Sequence, residues 1–269
     1  MSDLQESIEM DRMNGAEENT RQLSELFHRL LQEEHERGVI GVASFSAVYD
    51  ELMDTQKAKL RETVGSDFDS LYNSGSIVSI AVAYRDPVID YIDEENNHSP
   101  DYPLWNRYAQ EYDRLNQLLN RLAERIASRF DGIALEATMS GVIEDIEHVH
   151  EYFPLVISHR VVAEHAGIGW RGKNELLIHE RFSCAIRFAS IITGVRFVHG
   201  EKMESRCGDC TACEDACGFI RYRDTLPDYR ENCRRYMLFL QSKGIKEDVC
   251  GKCIKACYRS SKFRDAFSL

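Results

Sequence analysis

The stretch Cys207-Gly-Asp-Cys210-Thr-Ala-Cys213-Glu-Asp-Ala-Cys217 contains four cysteines separated by gaps of two, two and three residues. A lone Cys233 follows, and a second stretch reads Cys250-Gly-Lys-Cys253-Ile-Lys-Ala-Cys257. Eight of the nine cysteines therefore lie in the last quarter of the 269-residue chain. Thiolates at such short gaps are typical of metal ligation, because a tightly turning backbone directs successive sulfurs toward one centre.

The first stretch has the C-x2-C-x2-C-x3-C spacing of bacterial-type ferredoxins, in which three thiolates hold one [4Fe–4S] cube and the fourth reaches the other cube. Eight thiolates are the number that two such cubes require. The spacing predicts one cluster on Cys207, Cys210, Cys213 and Cys257, and a second on Cys217, Cys233, Cys250 and Cys253. Structural zinc is the alternative, but it gives no reason for three cysteines at two-residue gaps. A disulfide framework would need an oxidising compartment.

Length and composition narrow the class of protein. A chain of 269 residues is long enough for one or two domains with a buried core. No apolar run approaches the roughly 18 residues that a membrane span needs, so we expect no membrane partner. The segment Met1 to Asn19 is acidic and polar and does not resemble a secretory signal. Thiols available for metal fit the reducing cytoplasm, which is the expected location.

The net charge of −12 is unevenly distributed. Residues 1–150 carry 13 basic and 30 acidic side chains, a balance of −17, whereas residues 151–269 have a balance of +5. An iron–sulfur cube with four thiolates is itself anionic, so the basic surplus around the cysteines is explained by charge compensation. A docking face for an acidic partner or nucleic acid is the alternative explanation.

Apolar patterning predicts an α/β (α+β) region ahead of the cysteines. Gly75 to Tyr84 is apolar through most of its length and predicts a central strand covered on both faces. Tyr108 to Phe130 predicts a long helix, and Gly132 to Thr138 predicts another strand. Near the N-terminus, Thr20 is predicted to cap a helix after a polar lead. The apolar face of that helix consists of Leu23, Leu26, Phe27, Leu30 and Leu31.

Two further strands are predicted at Glu175 to His179 and Cys184 to Thr193, and the cysteine-rich part begins after Gly200. We therefore divide the chain into an α/β domain over residues 1–200 and a small ferredoxin-like double-cluster domain over residues 201–269. Cys184 lies inside an apolar run, where a lone thiol behaves as a small hydrophobic side chain. It is predicted not to be a ligand.

The segment Ala166-Gly-Ile-Gly-Trp-Arg-Gly-Lys-Asn174 has three glycines within six residues, which excludes an ordinary helix interior. The glycines indicate close approach of the backbone, either to another segment or to a ligand. From the residues alone, a structural turn and a ligand loop are equally favoured. The ligand hypothesis assigns a cofactor-binding wall to Gly167, Gly169, Trp170, Gly172, Lys173 and Asn174.

The order of the glycine segment, the strand pair and the two cysteine stretches resembles the epoxyqueuosine reductase family, most strongly from His159 to Cys257. The resemblance extends to the related reductive dehalogenases. It implies a double [4Fe–4S] domain beside a cobalamin-binding α/β domain. The clusters would pass single electrons to a corrinoid or directly to a substrate, and the glycine segment would lie against the corrin. An electron donor such as a ferredoxin or flavodoxin is the implied protein partner.

The resemblance also suggests a proton donor and a substrate class. The family's catalytic acid corresponds to Glu151 when positions are counted from Pro154, and to Phe153 when they are counted from Arg160. A small molecule or a modified nucleoside is the expected substrate. A whole tRNA is not expected, because the N-terminal half is acidic and tRNA binding needs Lys and Arg against phosphate.

The predicted function is thus an iron–sulfur oxidoreductase, with cobalamin as a further expected cofactor. Two alternatives of other classes remain. The chain is an electron carrier or reductive activator that docks on a partner enzyme and has no substrate of its own, or it is a zinc-stabilised binding protein.

Overall fold

The computed structural model describes residues 2–93, 99–137 and 146–260, with side chains from residue 13 onward. Its central feature is a four-stranded sheet that consists of β1 (Gly38–Ser44), β2 (Ser76–Ala83), β3 (Gly132–Leu135) and β6 (Ile186–Thr193). Across the sheet the strands lie in the order β1-β2-β6-β3. Every neighbouring pair is antiparallel. The fold is therefore of the α+β kind.

All eight residues of β2 are buried, because this strand pairs on both edges and is covered on both faces. The predicted central strand at this position is confirmed. Val78, Ile80 and Val82 lie in one apolar core, whereas Ile77 and Ala81 lie in another. This alternation follows from the two-residue period of a strand.

Two long helices cover the first face, α1 (Ser2–Glu33) and α6 (Tyr102–Arg129). Helix α6 confirms the predicted long helix, and it begins six residues earlier with a cap from Asp101. The predicted start of α1 at Thr20 is wrong. Thr20 lies inside the helix and donates its hydroxyl to the carbonyl of Ala16 at 2.7 Å. A threonine can make this i−4 bond without ending a helix.

Shorter helices cover the second face. They are α2 (Phe45–Glu51), α3 (Asp54–Val64), α4 (Phe68–Ser74) and α8 (His159–His165). The remaining short elements before residue 160 are α5 (Asp86–Ile89), α7 (Val149–Tyr152) and two 3-10 turns at Gly65–Asp67 and Phe153–Leu155. A separate two-stranded ladder joins β4 (Trp170–Arg171) to β5 (Leu177–Ile178). The predicted strand at Glu175 to His179 is thus outside the main sheet.

The part from 201 to 260 contains four helices and no strand. They are α9 (Ala212–Ala216), α10 (Gly218–Arg221), α11 (Tyr229–Ser242) and α12 (Lys252–Arg259). Leu240, Ile245 and Val249 belong to the same apolar core as α1 and α6. The cysteine-rich segment is therefore packed onto the sheet domain by a continuous core, and the predicted boundary at residue 200 stays a prediction.

Polar contacts hold the same junction. The indole of Trp105 on α6 donates to the carbonyl of Cys250 at 2.8 Å. The hydroxyl of Tyr258 on α12 donates to Asp86 at 2.6 Å. None of the helices in the described part of the chain combines the length and apolar character that crossing a bilayer requires.

Two buried serines lie opposite each other in the middle of the sheet, Ser79 on β2 and Ser190 on β6. The Ser79 hydroxyl has no hydrogen-bond partner. The Ser190 hydroxyl is 2.9 Å from Nδ1 of His159. An unsatisfied buried hydroxyl destabilises the native state, whereas a bonded one contributes about 1 kcal/mol.

Ser79→Ala should therefore leave the free energy of unfolding unchanged or raise it by up to about 1 kcal/mol. Ser190→Ala is the matched comparison and should lower that free energy by about 1 kcal/mol. Urea denaturation of both variants measures the difference. A larger loss in Ser79→Ala than in Ser190→Ala would contradict the prediction.

Candidate functional site

The structure brings the eight predicted cysteine ligands into two neighbouring groups. The first group consists of Cys207, Cys210, Cys213 and Cys257, and the second of Cys217, Cys233, Cys250 and Cys253. Burial raises the pKa of the Cys213 thiol to about 11, and the other three members of the first group add to that shift. Burial likewise raises the pKa of Cys250 to about 12, with Cys233 and Cys217 adding to it. Burial raises the pKa of the Cys253 thiol, and the other three thiols of its group and the thiol of Cys213 add to that shift. The two groups therefore adjoin each other.

The donor set of each group suits a four-iron cluster. Four thiols per group match the four iron corners of one cube. Among the described residues, no three Cys, His, Asp or Glu side chains converge closely enough to hold a single metal ion. A cube spreads its ligands more widely than a zinc ion does, because each sulfur binds a different iron atom. Zinc would instead gather all four sulfurs at about 2.3 Å from one centre.

A cavity of about 930 Å³ lies between the sheet domain and the cysteine-rich segment. All four cysteines of the second group line it, and Cys184 lines it as well. The opposite wall is formed by the end of β2, the first half of α6 and the start of β6. The aromatic and charged side chains that line the cavity, on either side of it, include Tyr84, Tyr108, Tyr112, Tyr152, Phe153, Arg187, Phe188, Tyr229 and Tyr236. Its volume is in the range of small-molecule and cofactor sites.

Gly251 sets the distance between the second group and α6. Its φ of +85° is in the left-handed region, which suits glycine. A Cβ at this position would stand 2.8 Å from the ring of Tyr108. The close approach places Cys250 and Cys253 beside the tyrosines of the cavity wall.

The cavity wall opposite the cysteines carries a half-buried cation and several phenols. Nε of Arg187 donates to Asn116 at 3.0 Å, and the guanidinium lies 4.1 Å from the centre of the Tyr112 ring. The rings of Tyr84 and Tyr108 stack at 5.3 Å. Burial raises the pKa of both phenols, so they stay protonated at neutral pH. This part of the lining thus offers O–H donors and the positive charge of Arg187.

These cavity residues were missed by reasoning from the sequence. The available signal was weak. Tyr108 and Tyr112 are four residues apart on α6 and share one helix face, and Tyr84 directly follows a buried strand. Arg187 interrupts the apolar run of β6, and a charge within a buried strand was the one clear indication of a special site.

His159 also lines the cavity but is held in its neutral form. Its Nε2–H donates to the carbonyl of Glu136 at 2.8 Å, which leaves Nδ1 to accept from Ser190. Burial lowers the pKa of His159 to about 4. The imidazole is therefore engaged at both nitrogens and supplies no proton at neutral pH.

Glu151, the predicted proton donor, lies at the exposed start of α7 and is outside the cavity lining. Its carboxylate accepts from the backbone N–H of His148 at 3.0 Å and of Glu147 at 3.1 Å. These bonds lower the pKa of Glu151. A carboxyl that donates a proton near neutral pH needs a raised pKa. These contacts instead favour the ionised carboxylate of Glu151. The neighbouring Tyr152 and Phe153 do line the cavity.

Of the six predicted cofactor-binding residues in the glycine segment, Asn174 lines the cavity. A Cβ at Gly169 would be 2.2 Å from the carbonyl oxygen of Ile178, and one at Gly172 would be 2.4 Å from its Cδ1. Gly167 has a φ of +69° and lies against the backbone of Glu201. The glycines thus permit tight packing of protein against protein, and their predicted contact with a cofactor stays a prediction.

The remaining residues of the segment lie toward the first cysteine group. Trp170 is buried and packs with Ile178, Cys184 and Cys257. Nζ of Lys173 donates to the carbonyl of Cys210 at 2.9 Å. The segment therefore supports the backbone that holds the first group.

Cys184 is buried beside Cys257, and Nδ2 of Asn174 lies 3.5 Å from its sulfur. Since the eight other thiols are predicted to supply four ligands to each cluster, Cys184→Ala should keep the full iron content of about eight atoms per reconstituted chain. Iron and sulfide analysis measures this. Loss of about four iron atoms would show that Cys184 replaces one of the eight assigned ligands.

Several known proteins are similar to this chain in sequence. The epoxyqueuosine reductase of Bacillus anthracis is 39% identical over 83 residues, which cover 31% of this chain and 22% of that protein. The Bacillus subtilis enzyme of the same name is 28% identical over 178 residues, or 64% of this chain and 41% of that protein. The Lactococcus garvieae enzyme is 26% identical over 195 residues, or 69% and 49%.

The chain is similar to the epoxyqueuosine reductases over these matched segments. No protein-family model matches it. The matched segments span less than half the length of these three reductases.

Solved structures of the same enzyme are also similar. The structure of epoxyqueuosine reductase from Streptococcus thermophilus has a TM-score of 0.45 at 17% identity and covers 88% of this chain and 65% of that one. An epoxyqueuosine reductase structure that includes an epoxyqueuosine-modified tRNA-Tyr stem loop has a TM-score of 0.40 at 21% identity, covering 74% and 53%.

Proposed function

We propose that this protein is an iron–sulfur reductase in which two [4Fe–4S] clusters deliver electrons to a molecule bound in the cavity of about 930 Å³. The observation that carries the proposal is that the second cysteine group lines the same cavity as the phenols and the half-buried Arg187. A donor of electrons, donors of protons and room for a ligand thus lie side by side. The relation to reductases supports the same reaction class.

The two groups suggest a direction for electron flow. Cys207 and Cys210 of the first group are half-buried in a loop whose intervening residues, Gly208 and Asp209, are exposed. The first group adjoins the second through Cys213 and Cys253. The second group lies at the cavity. Electrons from a ferredoxin or flavodoxin would enter at the first group and leave through the second.

When bound, the clusters supply single electrons, and the protons must come from the chain or from water. Tyr108 and Tyr84 are suited to hold a proton beside the reacting molecule, because burial keeps both phenols neutral. Arg187 is suited to stabilise negative charge that develops as the molecule is reduced. The flat rings of the lining provide stacking surface for a modified nucleobase. A small molecule or a modified nucleoside is the proposed substrate.

Cobalamin is the alternative occupant of the cavity. The second cysteine group lines this space, so a cluster on it would take up part of the 930 Å³. The glycine segment that the family resemblance assigns to the corrin packs on Ile178 and on the first cysteine group instead. These residues do not provide a fit for a corrin, and the proposed electron path ends at the substrate without one.

The test is anaerobic reconstitution of the full chain with iron and sulfide, followed by reduction with dithionite and addition of one probe at a time. Epoxyqueuosine nucleoside should reoxidise the clusters and be converted to a deoxygenated product, whereas the Tyr108→Phe variant should reoxidise more slowly at equal iron content. Stoichiometric zinc with little iron would overturn the proposal.

The other probes separate the remaining alternatives. Cobalamin that binds and is reduced would establish the corrinoid path. Turnover of epoxyqueuosine-containing tRNA but not of the nucleoside would overturn the small-substrate part of the proposal. Reoxidation by a partner protein alone, with no response to any of these probes, would establish the electron-carrier function.

A further inference from the structure

A hydrogen bond from a distant part of the chain reaches the sulfur of a predicted cluster ligand. The hydroxyl of Ser183 donates to Sγ of Cys257, and the two atoms are 3.1 Å apart. Ser183 is fully buried, and Cys257 is only 7% exposed. The residues are 74 positions apart, on a turn after β5 and on α12.

The backbone holds Ser183 in an unusual conformation. Its φ is +53°, in the left-handed region that residues other than glycine seldom adopt. Its N–H and its carbonyl both bond to the backbone of His179, at 2.8 and 2.9 Å, and close a tight turn. The ring nitrogen Nδ1 of His179 accepts from the N–H of Arg181 inside this turn. The hydroxyl is therefore fixed in place by a rigid loop, and such strain is a reason to look for a function.

The surroundings strengthen this bond. Trp170, Ile178 and Cys184 form a small buried cluster with Cys257. An apolar setting makes a hydrogen bond electrostatically stronger than it would be in water. Bonds to a charged acceptor are stronger still, and Cys257 would be a thiolate when it ligates iron.

We infer that Ser183 sets the reduction potential of the first cluster by donating a hydrogen bond to its ligand Cys257. This inference rests on the proposed function, because it needs the first group to hold a cluster. Reduction adds one negative charge that is shared with the ligand sulfurs. A donor to one of these sulfurs stabilises the reduced form more than the oxidised form and so raises the potential. Ser183 acts through Cys257 and touches no substrate.

The experiment is a redox titration of the anaerobically reconstituted full chain, followed by electron paramagnetic resonance of the reduced clusters. Ser183→Ala removes the hydroxyl. Ser183→Gly removes it too and accommodates the positive φ without strain. Both variants should shift one of the two midpoint potentials to a more negative value. We expect about a tenfold change in the reduction equilibrium, or about 59 mV for one electron. The other midpoint should stay where it is.

Ser190→Ala is the matched control, since it also removes a bonded hydroxyl from a fully buried serine, but one that bonds His159. It should leave both midpoints unchanged. Full iron with unchanged midpoints in both Ser183 variants would overturn the inference. Loss of one cluster in both variants would overturn it as well, because Ser183 would then serve only to hold the ligand in place. A wild-type chain that takes up no iron would instead overturn the proposed function.

Discussion

Replacement of Cys253 by serine is expected to lower the iron content of the reconstituted protein from about eight to about four atoms per chain. Cys253 is half-buried and lies among Cys250, Cys233 and Cys217. A serine hydroxyl is a much weaker ligand for iron than a thiolate, so the second cluster should not survive. The variant should also lose reduction of the substrate, because the second group adjoins the cavity.

Cys213→Ser is the counterpart for the first group and should leave about four iron atoms as well. The two variants should retain different signals in electron paramagnetic resonance, since a different cluster survives in each. Metal binding is coupled to folding in small metal domains, so thermal unfolding of both should be followed alongside the iron content. Identical spectra from the two variants would contradict the assignment of ligands to two groups.

The core of the sheet domain was predictable where one segment carried enough information. The apolar run at β2 has no polar face and indicates a strand buried on both sides, as the structure has it. The apolar face of α1 was equally predictable, and Leu23, Phe27 and Leu30 are indeed buried. The start of that helix was not predictable, because Thr20 serves equally well as a cap or as an interior residue bonded to Ala16. Local sequence does not decide between these two hydrogen-bond patterns.

The pairing of the strands and the lining of the cavity could not be predicted from the sequence, because both depend on contacts between distant residues. Nothing in β2 or β6 distinguishes an antiparallel from a parallel neighbour when both faces are covered. The cavity wall needs the indole of Trp105 to bond the carbonyl of Cys250, 145 residues away. It also needs Gly251 to admit the ring of Tyr108. The short gaps from Cys207 to Cys217 predicted cysteines that lie close together, whereas the places of Cys233 and Cys257 depend on contacts between distant residues, and the assignment of ligands to two clusters stays a prediction.

The second large effect that we expect is a loss of stability when the glycine segment is overpacked. Gly169→Ala tests this expectation most directly. Gly169 immediately precedes β4, whose Trp170 pairs with Ile178 of β5. A Cβ at Gly169 would be 2.2 Å from the carbonyl oxygen of Ile178, and that backbone atom cannot move without breaking the ladder. Overpacking typically costs 1–3 kcal/mol and occasionally more. We expect a loss of about 3 kcal/mol and a fall in Tm of about 10 °C.

Gly194→Ala is the control, because a Cβ there would meet no atom within 4 Å and should change the free energy of unfolding by less than about 0.5 kcal/mol. Differential scanning calorimetry of the reconstituted variants measures both. The loss at Gly169 should be accompanied by weaker retention of the first cluster, since a displaced Trp170 would disturb Cys257. If Gly169→Ala instead kept its Tm and its iron but lost affinity for a cavity ligand, the glycines would serve a ligand rather than the packing of the turn.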